Sequence, residues 1–112
     1  MITNELQQIE SNLKRNAVLT ELGNALARLK GNRDFKKVIL EGFFEDEAIR
    51  LVHLKADPNF QGCDSQKAIL TQMDAIGALR QYFETLAQLA GMAHKSIEAD
   101  EQTRDELLAE GL

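Results

Sequence analysis

The sequence predicts an all-α protein, a three-helix bundle or helical hairpin that ends in a long, coiled-coil-like C-terminal helix. Three observations carry this. The 112 residues include one proline, Pro58, where an average composition has roughly 5%, so long stretches lack the strongest helix breaker. Apolar residues recur at steps of three and four in three separate stretches, as in helices with one buried face. Turn chemistry gathers at only two places, Gly31-Asn32 and 57–63, where Gly, Asn and Pro mark breaks. The helices expected are about 3–30, 33–56 and 65–108.

In the first helix the apolar positions are Ile2, Leu6, Ile9 and Leu13, then Val18, Leu22, Ala25 and Leu29. A step of five joins the two runs, and Asn16 takes a place that the first run would have made apolar. The apolar face is therefore expected to rotate there, by a bend or by a change of partner. Thr3 or Asn4 can cap the start. Gly31 is expected to close the end in the left-handed conformation that helix C-termini favour.

The second helix carries Phe35, Val38, Ile39, Phe43, Phe44, Ala48, Leu51, Val52 and Leu54, an arc wide enough for contact on two sides. Asp57-Pro58 stops it, because the residue before proline is pushed out of the helical region. The connector then runs to Cys63, and Asp64 or Ser65 is expected to cap the third helix.

The third helix has the clearest pattern: Ile76, Leu79, Phe83, Leu86, Ala90, Ala93 and Ile97, with Ile69 one heptad earlier. Sustained three-four alternation is a coiled-coil-like seam. It serves either an internal core or self-association between copies. Gly77, Ala78, Ala87 and Gly91 lie on the same helix, and each interior glycine costs about 1 kcal/mol against alanine, which close approach of a neighbouring helix would explain. Gly42 is a candidate matching notch. Only 5% of the residues are aromatic, so the core must be mostly aliphatic.

Charge divides the chain near Ile97. Residues 1–97 hold twelve basic and twelve acidic side chains, and the net charge of -5 comes from the last fifteen residues. There Glu98, Asp100, Glu101, Asp105, Glu106 and Glu110 face one cation, Arg104. The expected organisation is a helical domain over 1–97 and an acidic extension of the last helix over 98–112, which would project. Such a balance disfavours general nucleic-acid binding, which rests on cations neutralising phosphates. The turn between the first two helices gathers Arg28, Lys30, Arg33, Lys36 and Lys37 against Asp34. Its plain explanation is cations complementing a helix C-terminus. A contact with an acidic partner is the functional alternative, and the acidic tail of a second copy would fit, with salt screening the attraction.

The lone Cys63 cannot form an internal disulfide, and the N-terminus lacks the order of a secretory signal. Charges interrupt every apolar run, so no membrane span is expected. The expected location is a host cytoplasm or a virion. No metal or cofactor site and no catalytic residue is expected. His53, Cys63, His94 and the Glu41, Glu45, Asp46, Glu47 cluster lack ligand spacing, since Arg50 and Gly91 stand where a helical Glu-x-x-His site would need glutamate. Glu41 and Glu45 share a helix face, and Lys37 one turn earlier makes an ion-pair ladder the simpler account.

The stretch from Arg33 through Lys36-Lys37-Val38-Ile39-Leu40-Glu41-Gly42-Phe43-Phe44 to Asp57-Pro58 resembles small helical proteins encoded among the virion genes of tailed bacteriophages. The resemblance covers about a quarter of the chain and brings no functional residue with it. It implies a small structural or assembly protein, not an enzyme, that works as a homo-oligomer and binds another virion or host protein. The rival expectation is a regulatory or anti-defence protein that sequesters a host factor or a small ligand.

Overall fold

A computed structural model describes residues 2–111. The chain is all-α, with three helices and no strand among the described residues. Helix α1 is Ile2–Gly31, α2 spans 33–56, and α3 is Cys63–Gly111. At 1.5 Å per residue, the 49 residues of α3 span about 73 Å.

Asn32 alone separates α1 from α2. Its backbone is extended (φ -72°, ψ 129°), and its side-chain oxygen accepts the Phe35 N–H at 2.9 Å. One residue thus ends one helix and caps the next. Gly31 does not use the left-handed conformation expected of it, and no described residue has a positive φ. With α2 starting at Arg33 there is no room for a left-handed closure. The second break is Asp57, held at φ -66° and ψ 127° before Pro58, as proline requires. Its carboxylate accepts the Asn59 N–H at 2.8 Å, and Pro58–Phe60 form one 3₁₀ turn. The side-chain amides of Gln61 and Gln66 donate to the Lys55, Asp57 and Phe60 carbonyls at 2.7–2.9 Å. The Lys55 carbonyl in the last turn of the helix is thereby satisfied. Helix α3 starts at Cys63, where the Gln66 N–H reaches the Gly62 carbonyl at 2.9 Å. Asp64 and Ser65, the expected caps, lie in its first turn instead.

Within α2, Arg33–Phe35 and Glu47–Ala56 are α-helical, and Lys36–Asp46 wind as a π-helix. The Glu47 N–H closes that segment on the Gly42 carbonyl, five residues back. So long a π segment is uncommon. It widens the helix where Phe43 and Phe44 sit. A Cβ added at Gly42 would lie 3.1 Å from the Lys37 carbonyl oxygen. The glycine therefore fits the winding of its own helix, and the expected notch for a neighbour is not its role.

The chain forms two compact units, one of residues 1–26 with 85–112 and the other of residues 27–84. In the 27–84 unit, Leu51 is fully buried against Ile69 and Ile76, with Phe43, Phe44, Ala48, Leu54 and Met73 packed around them. Phe83 meets Phe35 and Phe44 with ring centroids 5.9 Å apart in each pair, tilted or edge-on, the arrangement that aromatic quadrupoles favour. An aliphatic centre and an aromatic edge thus share one core.

In the other unit, α1 contributes Ile9 and Leu26, and α3 contributes Leu86, Ala90 and Ala93, all buried. Asn16, Leu19 and Gly23 are half-buried between them in sequence. Gly23 faces Ala90 so closely that an added methyl would overlap the alanine methyl. Helix α1 runs unbroken through Asn16, and its inner face keeps the three-four step from Ile9 through Asn16 to Gly23 and Leu26. The expected rotation of the buried face does not occur. Val18 (69% exposed) and Leu22 (43%) stay outside instead.

Candidate interaction surfaces

The heptad seam of α3 is covered by the chain itself. Ile69, Ile76, Leu86, Ala90 and Ala93 are buried, while Leu79, Phe83 and Ile97 are half-buried. The covering partners differ between the units. Ile76 packs with Leu51 and Phe83 with the α2 phenylalanines, whereas Ala90 packs on Gly23. Side chains already removed from water have little apolar area left to offer a second copy. The seam is thus largely internal to the fold.

The same phase extends into the acidic segment. Ile97, Asp100, Arg104 and Leu107 are half-buried at three-four spacing, and Glu98, Glu101, Asp105, Glu106 and Glu110 are exposed. Residues 98–111 are helical and belong to the unit that contains the first 26 residues. The compositional boundary at Ile97 is thus not a boundary of the fold, and the tail keeps one face against its unit. Glu98 pairs with His94 at 3.2 Å, and the Gln102 amide donates to Glu106 at 3.2 Å. Arg104 approaches Asp105 at 3.7 Å.

Arg28, Arg33, Lys36 and Lys37 are exposed around the α1–α2 break, and Lys30 is half-buried. Lys30 lines a hollow of about 310 Å³ with Glu45, Arg80, Glu84 and Phe83. There Glu84 pairs with Arg80 at 3.2 Å, and Glu45 of α2 is the other carboxylate beside the basic turn. In the same unit a second hollow of about 370 Å³ runs past the π segment, lined by Val38, Ile39, Phe43, Leu51 and Ile76, with Glu47 at its rim. Glu47 is bound by Arg50, whose Nε lies 3.1 Å from both carboxylate oxygens. That hydrogen bond holds the Glu47 carboxyl below its ordinary value and raises the Arg50 guanidinium. Both are exposed, so solvent screens the pair and its stabilising effect is small.

Among the described residues, no three His, Cys, Asp or Glu side chains gather as a metal would need, and Cys63 is exposed. Among the described residues, no helix is long and apolar enough to cross a membrane. The surfaces that sequence reasoning missed are apolar and exposed: Val18 and Leu22 on α1, Val38, Ile49 and Val52 on α2, Tyr82, Leu89 and Met92 on α3. The step of five in α1 was the available signal. It marks two stripes on one straight helix, of which only one can face α3.

No family model matches the chain, and no curated protein or solved structure matches it either.

Proposed function

We propose that this protein is a non-enzymatic structural or assembly component that acts through helix-mediated self-association and protein binding, as the resemblance to phage virion proteins implies. The observation that supports this is its surface. Each unit leaves large apolar side chains exposed, Val18, Leu22, Leu89 and Met92 on one and Val38, Ile49, Val52 and Tyr82 on the other. Among the described residues, Leu51 is the one large side chain that is fully buried. A chain that buries so little of itself gains stability by burying more against a partner. Obligate homo-oligomers are built this way, with interfaces that resemble a core cut in half.

Size exclusion coupled to light scattering tests the reading. The expected result is a defined multiple of 12.5 kDa at micromolar concentration, together with recovery of the chain in purified virions when it is expressed during infection. A stable monomer at all concentrations, absent from particles, would refute it.

A further inference from the structure

We infer that the basic turn between α1 and α2 is the docking site for the acidic C-terminal segment of a second copy. The inference rests on the reading above and names the contact through which copies hold one another. Each surface is complete within one unit, the residues of the turn that carry it in 27–84 and the acidic segment in 1–26 with 85–112.

The turn is a cationic surface that its own fold leaves unbalanced. Arg28, Lys30, Arg33, Lys36 and Lys37 face Asp34 alone, a local excess of four positive charges. Among the described residues, the side chains of Arg33, Lys36 and Lys37 are exposed and make no ion pair or hydrogen bond. In the hollow that Lys30 lines, Glu84 is taken by Arg80. The helix dipole accounts for only part of the cluster. Arg28 and Lys30 lie in the last turn of α1, where cations are favoured. Arg33, with Lys36 and Lys37 just behind it, opens α2, at the helix end that favours anions. These three also crowd like charges within about one turn, which costs further stability. An external anionic surface relieves both costs.

The chain carries the complement itself. Six carboxylates of residues 98–112 face Arg104 alone, an excess of five negative charges, while residues 1–97 are balanced. Glu98, Glu101 and Asp105 stand at steps of three and four on one exposed helix face, around a shallow hollow of about 580 Å³ that Glu106 also lines. Among the described residues, Glu101 has no side-chain partner, and like charges at this spacing repel one another as they do on the turn. The two surfaces therefore match in sign, in amount and in helical spacing. Each also offers an exposed apolar group, Leu29 between Arg28 and Lys30, and Leu108 three residues past Asp105. Exposed ion pairs contribute little singly, but complementary sets of charge steer association and select the partner. Every copy holds both halves of the contact, so a closed assembly of identical copies satisfies every turn with a tail.

The test uses the full chain, with circular dichroism and light scattering on the intact protein and two charge-reversed variants. One is Lys36→Glu with Lys37→Glu on the turn, the other Glu101→Lys with Asp105→Lys on the tail. Lys14→Glu with Arg15→Glu, exposed cations of α1, is a control that changes net charge as much as the turn variant does. Expected is a defined oligomer for the intact chain and the control, weakening as salt cuts the screening length from about 30 Å at 0.01 M to about 3 Å at 1 M. Each reversed variant should bind itself roughly 30-fold more weakly. Mixing the two variants should restore association, because an acidic turn then meets a basic tail. Reversed variants that associate as the intact chain does, or a mixture that stays apart, would overturn the contact and leave the self-association reading standing. A monomeric intact chain would overturn both. Should a reversed variant lose its helical signal, Lys36→Gln with Lys37→Gln and Glu101→Gln with Asp105→Asn decide, and a dissociation constant that changes less than about threefold in both overturns the contact.

Discussion

Replacing Gly23 with alanine should destabilise the protein, although alanine is the better helix former. Gly23 sits inside α1, where alanine would gain about 1 kcal/mol from helix propensity alone. Against this, the new Cβ would lie 3.7 Å from the Ala90 Cα and well inside contact distance of its methyl. Both atoms belong to helices, so neither methyl can swing aside, and the helices must part around Leu26, Leu86 and Ala93. Overpacking of this kind costs about 1–3 kcal/mol. The net expectation is a loss of up to about 2 kcal/mol, since the propensity term offsets about 1 kcal/mol of the overlap. Gly77 and Gly91 supply the contrast, because a Cβ at either meets nothing within 4 Å. Gly91→Ala should therefore stabilise by about 1 kcal/mol. Urea unfolding followed by circular dichroism at one fixed protein concentration measures all three, the concentration being fixed because association shifts apparent stability. Moving the methyl in a Gly23→Ala, Ala90→Gly double variant should recover most of the loss, giving a coupling energy of about 1 kcal/mol or more. If Gly23→Ala stabilised as much as Gly91→Ala, with no coupling to position 90, the close approach of α1 and α3 would be refuted.

Two further outcomes follow from polar groups. The Thr20 hydroxyl is buried with no hydrogen-bond partner, so Thr20→Val, which keeps the shape and removes the unsatisfied group, should stabilise by about 1 kcal/mol, read as a rise in melting temperature. The Glu47 carboxyl, lowered by the hydrogen bond from Arg50, should titrate by NMR below the ordinary glutamate value and return to it in Arg50→Met. A lowered carboxylate contributes stability above its unfolded pKa and loses it as pH falls through the folded one. For this exposed pair the loss belongs to acid pH and should shrink further in salt.

Much of the fold was legible because its causes are local. Asn32 and Asp57-Pro58 end helices through their own backbone preferences, and the α3 heptad specifies its buried face wherever partners stand. The 3.6-residue repeat fixes that face before any tertiary contact forms. The ends were less legible where distant residues complete them. Gln61 and Gln66 both satisfy the Lys55 carbonyl of α2 from beyond the turn, and nothing in their local sequence announces it. The π winding of Lys36–Asp46 was likewise invisible to a pattern read at α-helical period.

The candidate surface depended on a choice that hydrophobicity alone decides wrongly. Helix α1 carries two stripes, and the more apolar one, with Val18 and Leu22, reads as the buried face. The structure buries the other, which includes Asn16 and Gly23. The two small residues of the α3 seam, Ala90 and Ala93, reward a partner that brings its backbone close. Glycine does this, and the branched side chains of Val18 and Leu22 would hold the helices apart. The sequence by itself determined that there are helices, where they break, and which side of α3 faces inward, because these depend on neighbouring residues. Only the tertiary structure decided which side of α1 meets it, because that depends on how the surfaces of two helices fit.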